Sequence, residues 1–335
     1  MTQSPDHPIK LLIAANHRVD LWIVPTWFSD RLSHDFRKIQ TAIVNNDIIA
    51  QEISDAEIAL TPSLRPAQFA AAKKLRWIHS PSAAVHQFLF PEFLNSEVIL
   101  TNGRDVHGPV VAEHVIALIF ALAKNLPAAV RFQQRHIWGQ EIAWGPAHRP
   151  RELAGATLGL VGLGSIGRAV AAHAAALGMH VVAARQHPEN QTPQSVHEVL
   201  PSSRLDELLA RSDYVVLAAP VTQSTQKMIG RPQLAKMEVD AYLINVSRGA
   251  LIDESALIEC LRGHKIAGAA LDVFEKEPLP PDSPLWDMDN LLITPHTAGM
   301  SEKLWERQYL LFSENLRRYL SGQPLLAQVN KQIGY

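Results

Sequence analysis

The sequence predicts an α/β protein of two domains, and three observations support that fold class. Its 335 residues are about twice the length of a common domain, which is on the order of 150 residues. Short apolar segments alternate with helix-like segments along most of the chain, as they do in parallel α/β units. In the middle of the chain a glycine-rich segment, 162–167, joins an apolar strand to an alanine-rich helix. We therefore expect a doubly wound parallel sheet in one domain and a smaller α/β unit in the other.

The composition argues against several classes of protein. Hydrophobic residues make up 47% of the chain and charged residues 19%, which suits packed cores rather than a disordered chain. The 31 basic and 33 acidic residues nearly cancel, so we expect neither a nucleic-acid partner nor a membrane partner. The longest apolar run, 115–123, is too short to span a bilayer, and the first residues lack a signal-peptide pattern. We therefore expect a cytoplasmic protein.

The first part of the chain, to about residue 103, predicts the smaller unit. Its strands are short apolar runs bounded by Pro, Asn, Asp or Ser, and helix-like segments lie between them. The predicted strands are Ile9–Ala14, Glu57–Thr61, Leu75–His79 and Val98–Thr101, and the predicted helices are Arg31–Ile39 and Pro66–Lys73.

A long helix, Val110–Lys124, is predicted next, with Pro109 in its first turn. The helix is apolar on nearly every face, so it must be buried, either in a core or in a subunit interface. We prefer the interface, and core packing stays open. Glu113 and His114 are expected to pack against each other. Trp138 and Trp144 are expected to be buried anchors, with the alternative that one of them reaches a neighbouring subunit.

The larger unit follows as a second strand-and-helix series that begins at Thr157. The same periodicity defines its elements, and a final helix closes the chain before Gly322. The predicted strands are Thr157–Val161, His180–Ala184, Tyr214–Ala218, Ala241–Val246 and Ile266–Val273, and the predicted helices are Ser165–Leu177, Leu205–Ala210, Glu254–Arg262 and Glu302–Leu320.

The glycine-rich segment has the spacing G-x-G-x-x-G between a strand and a helix, which is the context of a dinucleotide site. Gly162 would allow the tight turn, Gly164 the approach of a pyrophosphate, and Gly167 the packing of helix on strand. The backbone N–H groups of Ser165 and Ile166, at the start of the helix, would then face the phosphates.

The residue that ends the next strand indicates which dinucleotide is preferred. NAD sites carry an acidic residue there for the ribose 2′-OH, whereas this chain has Arg185. A guanidinium attracts a 2′-phosphate. We therefore expect NADP(H) to be preferred, with NAD(H) possible; the alternative is an ordinary surface arginine.

Three further residues follow strands of the larger unit and are candidates for catalysis. Arg248 comes just after an apolar strand, where its planar fork can bind a carboxylate by two hydrogen bonds. His296 follows the apolar run 291–293, and Glu277 precedes Pro278, which restricts its backbone. Spacing alone leaves open whether the three converge.

Several runs in one order resemble the D-isomer-specific 2-hydroxyacid dehydrogenase family. They are Val111–His114, Gly162–Gly167, Asn245–Asp253, Gly268–Pro278 and Thr294–Ala298. The resemblance implies a Rossmann-type dinucleotide-binding domain at 104–295 and a flavodoxin-like substrate-binding domain at 1–103 with 296–335. It also implies an active site between the two domains and a homodimer built through the dinucleotide-binding domain.

The resemblance assigns roles to individual residues. Arg248 would bind the substrate carboxylate and carbonyl, His296 would be the general acid, and Glu277 would orient His296. Asp272 would hold the nicotinamide carboxamide. Where the family often has glycine this chain has Ala84, which would be strained if the turn required a positive φ. Cofactor contacts are also implied for Pro220, Thr225 and Val246, and substrate contacts for the backbone of Ala83, Ala84 and Val85.

These observations predict a reductase of small 2-oxo acids of the glyoxylate or hydroxypyruvate type, which makes D-2-hydroxy acids without a metal. An NAD-linked dehydrogenase of phosphoglycerate or another D-2-hydroxy acid is the alternative within the same chemistry. A non-catalytic dinucleotide-sensing interaction protein on the same scaffold is the alternative in another class.

Overall fold

The computed structural model describes residues 8–15, 19–145 and 149–334. The described residues divide into two compact units, one made of those up to residue 107 together with those from residue 300 onward, and the other of those between 108 and 299. The divisions fall at 107/108 and 299/300, a few residues from the positions 103/104 and 295/296 that the sequence suggested. Each unit is described by itself below.

The first unit is built on a five-stranded parallel sheet with strand order β2-β1-β3-β4-β5, the order of flavodoxin-like folds. Successive residues of β1 face opposite hydrophobic clusters, Leu11 and Ile13 on one side and Leu12 on the other. The strands are Ile9–Ile13, Ile39–Ile43, Ile58–Leu60, Trp77–Ser80 and Ile99–Asn102 (β1–β5), and the helices are Thr26–Asp35, Ile49–Glu52, Pro66–Ala71 and Pro91–Leu94 (α1–α4).

The second unit carries a seven-stranded parallel sheet with strand order β12-β11-β10-β9-β6-β7-β8. The order reverses between β6 and β9, which is the switch point of a doubly wound fold. The strands are Thr157–Val161, His180–Arg185, Glu198–Pro201, Tyr214–Leu217, Tyr242–Asn245, Gly268–Leu271 and Leu291–Ile293 (β6–β12). The helices are Gly108–Ala123, Leu126–Gln134, Gln140–Ala143, Ser165–Ala176, Leu205–Ala210, Arg231–Leu234 and Glu254–Arg262 (α5–α11).

The last helix, Leu304–Leu320 (α12), belongs to the first unit and covers one face of its sheet. Phe312 from α12 stacks on Trp77 from β4, with 5.1 Å between the ring centroids. The two parallel sheets and their flanking helices confirm the predicted α/β class.

The sequence missed two edge strands. The predicted helix Arg31–Ile39 is wrong at both ends, because α1 begins at Thr26, after Pro25, and Ile39 already starts β2. β2 and β8 lie at sheet edges and are half-exposed, so neither shows the apolar run by which the inner strands were found.

Helix α5 packs on α8 and within one hydrophobic cluster of the second unit. Among the described residues no single helix is long and apolar enough to cross a membrane. Helices α5 and α6 together have the length and composition for it, but they meet at a bend of 65°.

Candidate active site

Arg248, Glu277 and His296 lie at one edge of the larger sheet. They follow β10, β11 and β12, three neighbouring parallel strands whose carboxyl ends share that edge. Ligands of open α/β sheets bind at this edge. The fold therefore places the three predicted catalytic side chains on adjacent connections, although nearly fifty residues separate the first from the last.

Glu277 forms a direct hydrogen bond with His296. Its Oε2 lies 2.6 Å from Nδ1 of His296, and its Oε1 accepts a bond of 3.0 Å from the backbone N–H of Phe274. A carboxylate can only accept, so Nδ1 of the histidine carries the proton. Nε2, the other ring nitrogen, has no partner among the described residues, and the side chain is 49% exposed. Nε2 is therefore the atom that can exchange a proton with a ligand.

Arg248 is positioned by a turn that the side chain of Asn245 closes. Asn245 is fully buried, its Nδ2 donates to the carbonyl of Arg248 at 2.9 Å, and its Oδ1 accepts from the N–H of Ser247 at 3.1 Å. The guanidinium is half-buried and donates to the Ser247 carbonyl at 2.5 Å. Burial lowers the pKa of Arg248, and the nearby charge of Glu277 raises it. The other guanidinium N–H groups stay available for a carboxylate.

Asp272 holds the turn that carries His296. Its carboxylate accepts from the Thr294 hydroxyl at 2.6 Å and from the N–H groups of Thr297 and Ala298 at 2.8 and 3.0 Å. Its carbonyl accepts from the N–H of His296 at 2.9 Å. The three bonds to the carboxylate use three of its roughly four acceptor positions, and the side chain is 1% exposed. That it also contacts a nicotinamide stays a prediction, with room for one more donor.

The glycine-rich turn at the switch point fits a dinucleotide. Gly162 has a φ of +101°, and a Cβ there would lie 2.7 Å from the Ala218 carbonyl. A Cβ on Gly167 would overlap the Gly162 carbonyl. At Gly164 a Cβ would meet no atom within 4 Å, and φ is −80°, so the fold itself does not require glycine. A ligand that approaches the backbone closely would explain this residue, together with the N–H groups of Ser165 and Ile166 that begin α8.

Arg185 ends β7, as predicted, but its fork is folded back over the loop that follows. The guanidinium donates to the carbonyls of Pro188, Asn190 and Gln191, and its buried Nε has no partner among the residues that the structure describes. The next acidic residue along the chain, Glu189, pairs with His187 at 3.2 Å. The guanidinium therefore lies at the end of β7, where its hydrogen bonds also close the loop that follows this strand.

The remaining cofactor candidates contribute mainly to local structure. The Thr225 hydroxyl donates to the Pro220 carbonyl at 2.7 Å and accepts from the N–H of Thr222 at 2.7 Å, so it closes the turn after β9. Val246 is 6% exposed and packs in a hydrophobic cluster. Their contact with a cofactor stays a prediction.

In the first unit, the loop 81–85 turns its carbonyl groups inward. Ala84 is not among the residues with positive φ, so alanine is accommodated there without strain. The N–H groups of Ala83, Ala84 and Val85 have no acceptor within the described part of the chain. The carbonyls of 81–84 accept in turn from Gln308 Nε2 (2.6 Å), Gly103 N (3.2 Å), Asn102 Nδ2 (2.7 Å) and Gln87 Nε2 (3.3 Å). These N–H groups are available to bind an anion.

Two expectations for the region after residue 107 were wrong. Glu113 and His114 do not form a packing pair, because neighbours on a helix point in different directions: Glu113 is exposed, and His114 contacts Thr294. Trp138 and Trp144 are not buried anchors, since they are 91% and 66% exposed. The inward direction of His114 could have been inferred from the sequence, because this residue lies on the same face of α5 as the buried residues.

Within the described residues no cluster of three or more His, Cys, Asp or Glu side chains has the arrangement of a metal site. Cys260 is buried, and burial raises the pKa of its thiol.

The sequence is similar to known proteins over most of its length. The family described as D-isomer specific 2-hydroxyacid dehydrogenase, NAD binding domain, matches residues 116–298. A glyoxylate reductase of Korarchaeum cryptofilum is 33% identical over 85% of this chain and 86% of its own length. A D-3-phosphoglycerate dehydrogenase of Methanocaldococcus jannaschii is 32% identical over 85% of this chain, which spans 54% of that protein.

A solved structure shares the fold. A D-isomer specific 2-hydroxyacid dehydrogenase from Xanthobacter autotrophicus Py2, in complex with NADPH and MES, is 28% identical with a TM-score of 0.82, over 98% of this chain and all of that one. The strand orders, the glycine-rich turn and these similarities lead to one conclusion. The chain belongs to the D-isomer-specific 2-hydroxyacid dehydrogenase family.

Proposed function

We propose that the protein reduces small 2-oxo acids of the glyoxylate or hydroxypyruvate type to D-2-hydroxy acids, with NADPH preferred over NADH. The observation that carries the proposal is the hydrogen bond of 2.6 Å between Glu277 and His296 beside a half-buried Arg248. A cation for the carboxylate and a proton donor for the carbonyl oxygen are what this reduction requires from the protein.

Arg248 binds and orients the acid. Its fork can hold a carboxylate by two parallel hydrogen bonds, and its partial burial strengthens that attraction relative to water. Because Asn245 fixes the backbone at Arg248, the bound acid is oriented with little loss of side-chain freedom.

His296 supplies the proton. With Nδ1 bonded to Glu277 and the side chain 49% exposed, Nε2–H is left to transfer a proton to the carbonyl oxygen of the substrate. The negative charge of Glu277 stabilises the imidazolium that donates it. The bound nicotinamide supplies the hydride that the substrate carbon receives.

The preference for NADPH rests on Arg185. It places a positive charge at the end of β7, where an acidic residue would repel a 2′-phosphate. Its present bonds to the loop carbonyls are partners that a phosphate would replace. Replacing Arg185 by serine should lower kcat/KM for NADPH about tenfold or more and leave that for NADH nearly unchanged. An equal loss with both cofactors would refute this part of the proposal.

The cradle formed by the N–H groups of Ala83, Ala84 and Val85 is proposed to bind the carboxylate of the substrate. Support comes from the inward orientation of the loop carbonyls and from the absence of any acceptor for these N–H groups in the described residues.

We further propose a homodimer. Residues 126–144, the apolar arm, expose an unusual number of large apolar side chains, more than scattered surface residues account for. Val130→Asp should shift the sedimenting species from dimer to monomer, whereas Val239→Asp, which is also exposed but lies outside the arm, should not; a monomeric wild type would refute the homodimer. The exposed side chains are those of Leu126, Val130, Ile137, Trp138, Ile142 and Trp144.

We place the enzyme in the cytoplasm, where it would draw on the pool of reduced cofactor; cell fractionation tests this.

The function itself is tested by the decay of NADPH or NADH absorbance with glyoxylate, hydroxypyruvate, pyruvate and 3-phosphohydroxypyruvate. Fast turnover of glyoxylate or hydroxypyruvate is expected. Fast turnover of 3-phosphohydroxypyruvate alone would favour the phosphoglycerate alternative, and no turnover by cofactor-bound protein would favour a sensor.

A further inference from the structure

His114 lies on the inner face of α5, although it is ionisable and belongs to no part of the chemistry described above. Its side chain is 21% exposed, and its Nε2 lies 3.1 Å from the Thr294 hydroxyl and 3.7 Å from Oδ1 of Asp272. Thr294 follows β12 and directly precedes the Pro295–His296 segment. A histidine on one helix therefore contacts the base of the turn that carries the proton donor.

The hydrogen bonds in this contact have a defined direction. The carboxylate of Asp272 only accepts, so the single hydroxyl proton of Thr294 is donated to it, at 2.6 Å. The same hydroxyl oxygen must then accept from His114, which places a proton on Nε2 of that histidine. The chain runs from His114 through Thr294 to Asp272.

Asp272 also fixes the geometry of the turn that carries His296. Its carboxylate accepts from the N–H groups of Thr297 and Ala298, and its carbonyl accepts from the N–H of His296. His296 has a φ of +55°, in the left-handed region that only a few per cent of non-glycine residues adopt. The turn therefore depends on Asp272 keeping one orientation.

We propose that His114 is a positioning residue for His296, acting through the hydroxyl of Thr294 and the carboxylate of Asp272. The donated bond from His114 fixes the rotamer of Thr294, and Thr294 fixes the carboxylate on which the turn is built. His114 touches neither substrate nor cofactor in this role.

The kinetic test rests on the proposed reductase function. In His114→Leu and in Thr294→Val, kcat should fall roughly 10- to 100-fold, because a misplaced His296 no longer meets the carbonyl oxygen. KM for the oxo acid should change little, since Arg248 is untouched. His114→Gln keeps an N–H donor near the position of Nε2 and should recover most of the rate, and Glu113→Gln on the exposed face should behave as wild type.

An independent readout does not need turnover. The proton on Nδ1 of His296, in its short bond to Glu277, should give a far-downfield NMR resonance that disappears in His296→Asn. It should shift or broaden in His114→Leu and in Thr294→Val and persist in His114→Gln and Glu113→Gln.

The two readouts separate the possible failures. An inactive wild type with the predicted NMR pattern would refute the reductase and retain the positioning role. An unchanged resonance in His114→Leu, an unchanged kcat in an active enzyme, or equal losses in His114→Leu and His114→Gln would refute the positioning role.

Discussion

Lowering the pH should destabilise the first unit through His79. This side chain is fully buried, and burial lowers its pKa from 6.5 to about 4. Its Nδ1 accepts from the Thr101 hydroxyl at 2.8 Å, while Nε2–H faces Oε1 of Gln308 at 3.4 Å. Gln308 also donates to the Pro81 carbonyl, so the same network supports the anion cradle. The folded unit therefore needs the neutral imidazole.

The magnitude follows from proton linkage. Between pH 4 and pH 6.5 the unfolded chain binds a proton at this histidine and the folded chain does not, so stability falls as the pH falls. The full shift corresponds to about 3 kcal/mol, of which about 2 kcal/mol is lost between pH 7 and pH 5.

The assay is urea unfolding of wild type and His79→Gln at several pH values, followed by tryptophan fluorescence. Other titrating groups contribute equally to both proteins, so the difference in their pH dependence isolates His79. We expect the wild type to lose about 2 kcal/mol more than the variant between pH 7 and pH 5. Parallel curves would show that His79 does not titrate with a lowered pKa and would refute the reasoning.

Three further predictions concern the second unit's cofactor turn, its catalytic pair and the loop of the first unit. Gly164→Ala should leave the unfolding midpoint nearly unchanged and weaken NADPH binding about tenfold, because its Cβ meets only the ligand. Gly167→Ala should instead destabilise the fold, since its Cβ overlaps the Gly162 carbonyl. Calorimetry and cofactor titration distinguish the two variants. Equal effects on stability and on NADPH binding would contradict the assignment of Gly164 to the ligand and of Gly167 to the fold. Glu277→Gln should lower kcat about tenfold, because the amide is uncharged and has one acceptor oxygen for the two donors, His296 Nδ1–H and Phe274 N–H, that the carboxylate binds; an unchanged kcat would count against the pair. Asn102→Asp should raise KM for the oxo acid about tenfold, since it removes the donor to the Ala83 carbonyl, whereas the exposed Asn95→Asp should not; a rise in both would indicate a general charge effect.

Much of the larger unit could be predicted because its signals are local in sequence. The spacing of Gly162, Gly164 and Gly167 between a strand and a helix was sufficient to place a turn at the switch point. Arg248, Glu277 and His296 were found as residues that follow strands, and the order of the motifs related them to a family. Because neighbouring parallel strands end at the same edge of a sheet, the fold class alone predicts that such residues lie at that edge.

What the sequence did not reveal depends on contacts between distant residues or on half-exposed elements. Gln308 reaches the Pro81 carbonyl across 227 residues, and His114 reaches Thr294 across 180. Neither contact has a local pattern. The edge strands β2 and β8 lack apolar runs because one side of each faces solvent. The exposure of Trp138 was missed because a large apolar side chain is buried in most proteins.

The central claim is that Arg248 and His296 convert a 2-oxo acid to a D-2-hydroxy acid. Its most direct test is the reduction of hydroxypyruvate by wild type, Arg248→Lys and His296→Gln, with chiral analysis of the glycerate formed. We expect D-glycerate from the wild type and, in each variant, a loss of kcat/KM of about a hundredfold or more, with cofactor binding retained. L-glycerate, a racemic product, or undiminished rates in both variants would contradict the account.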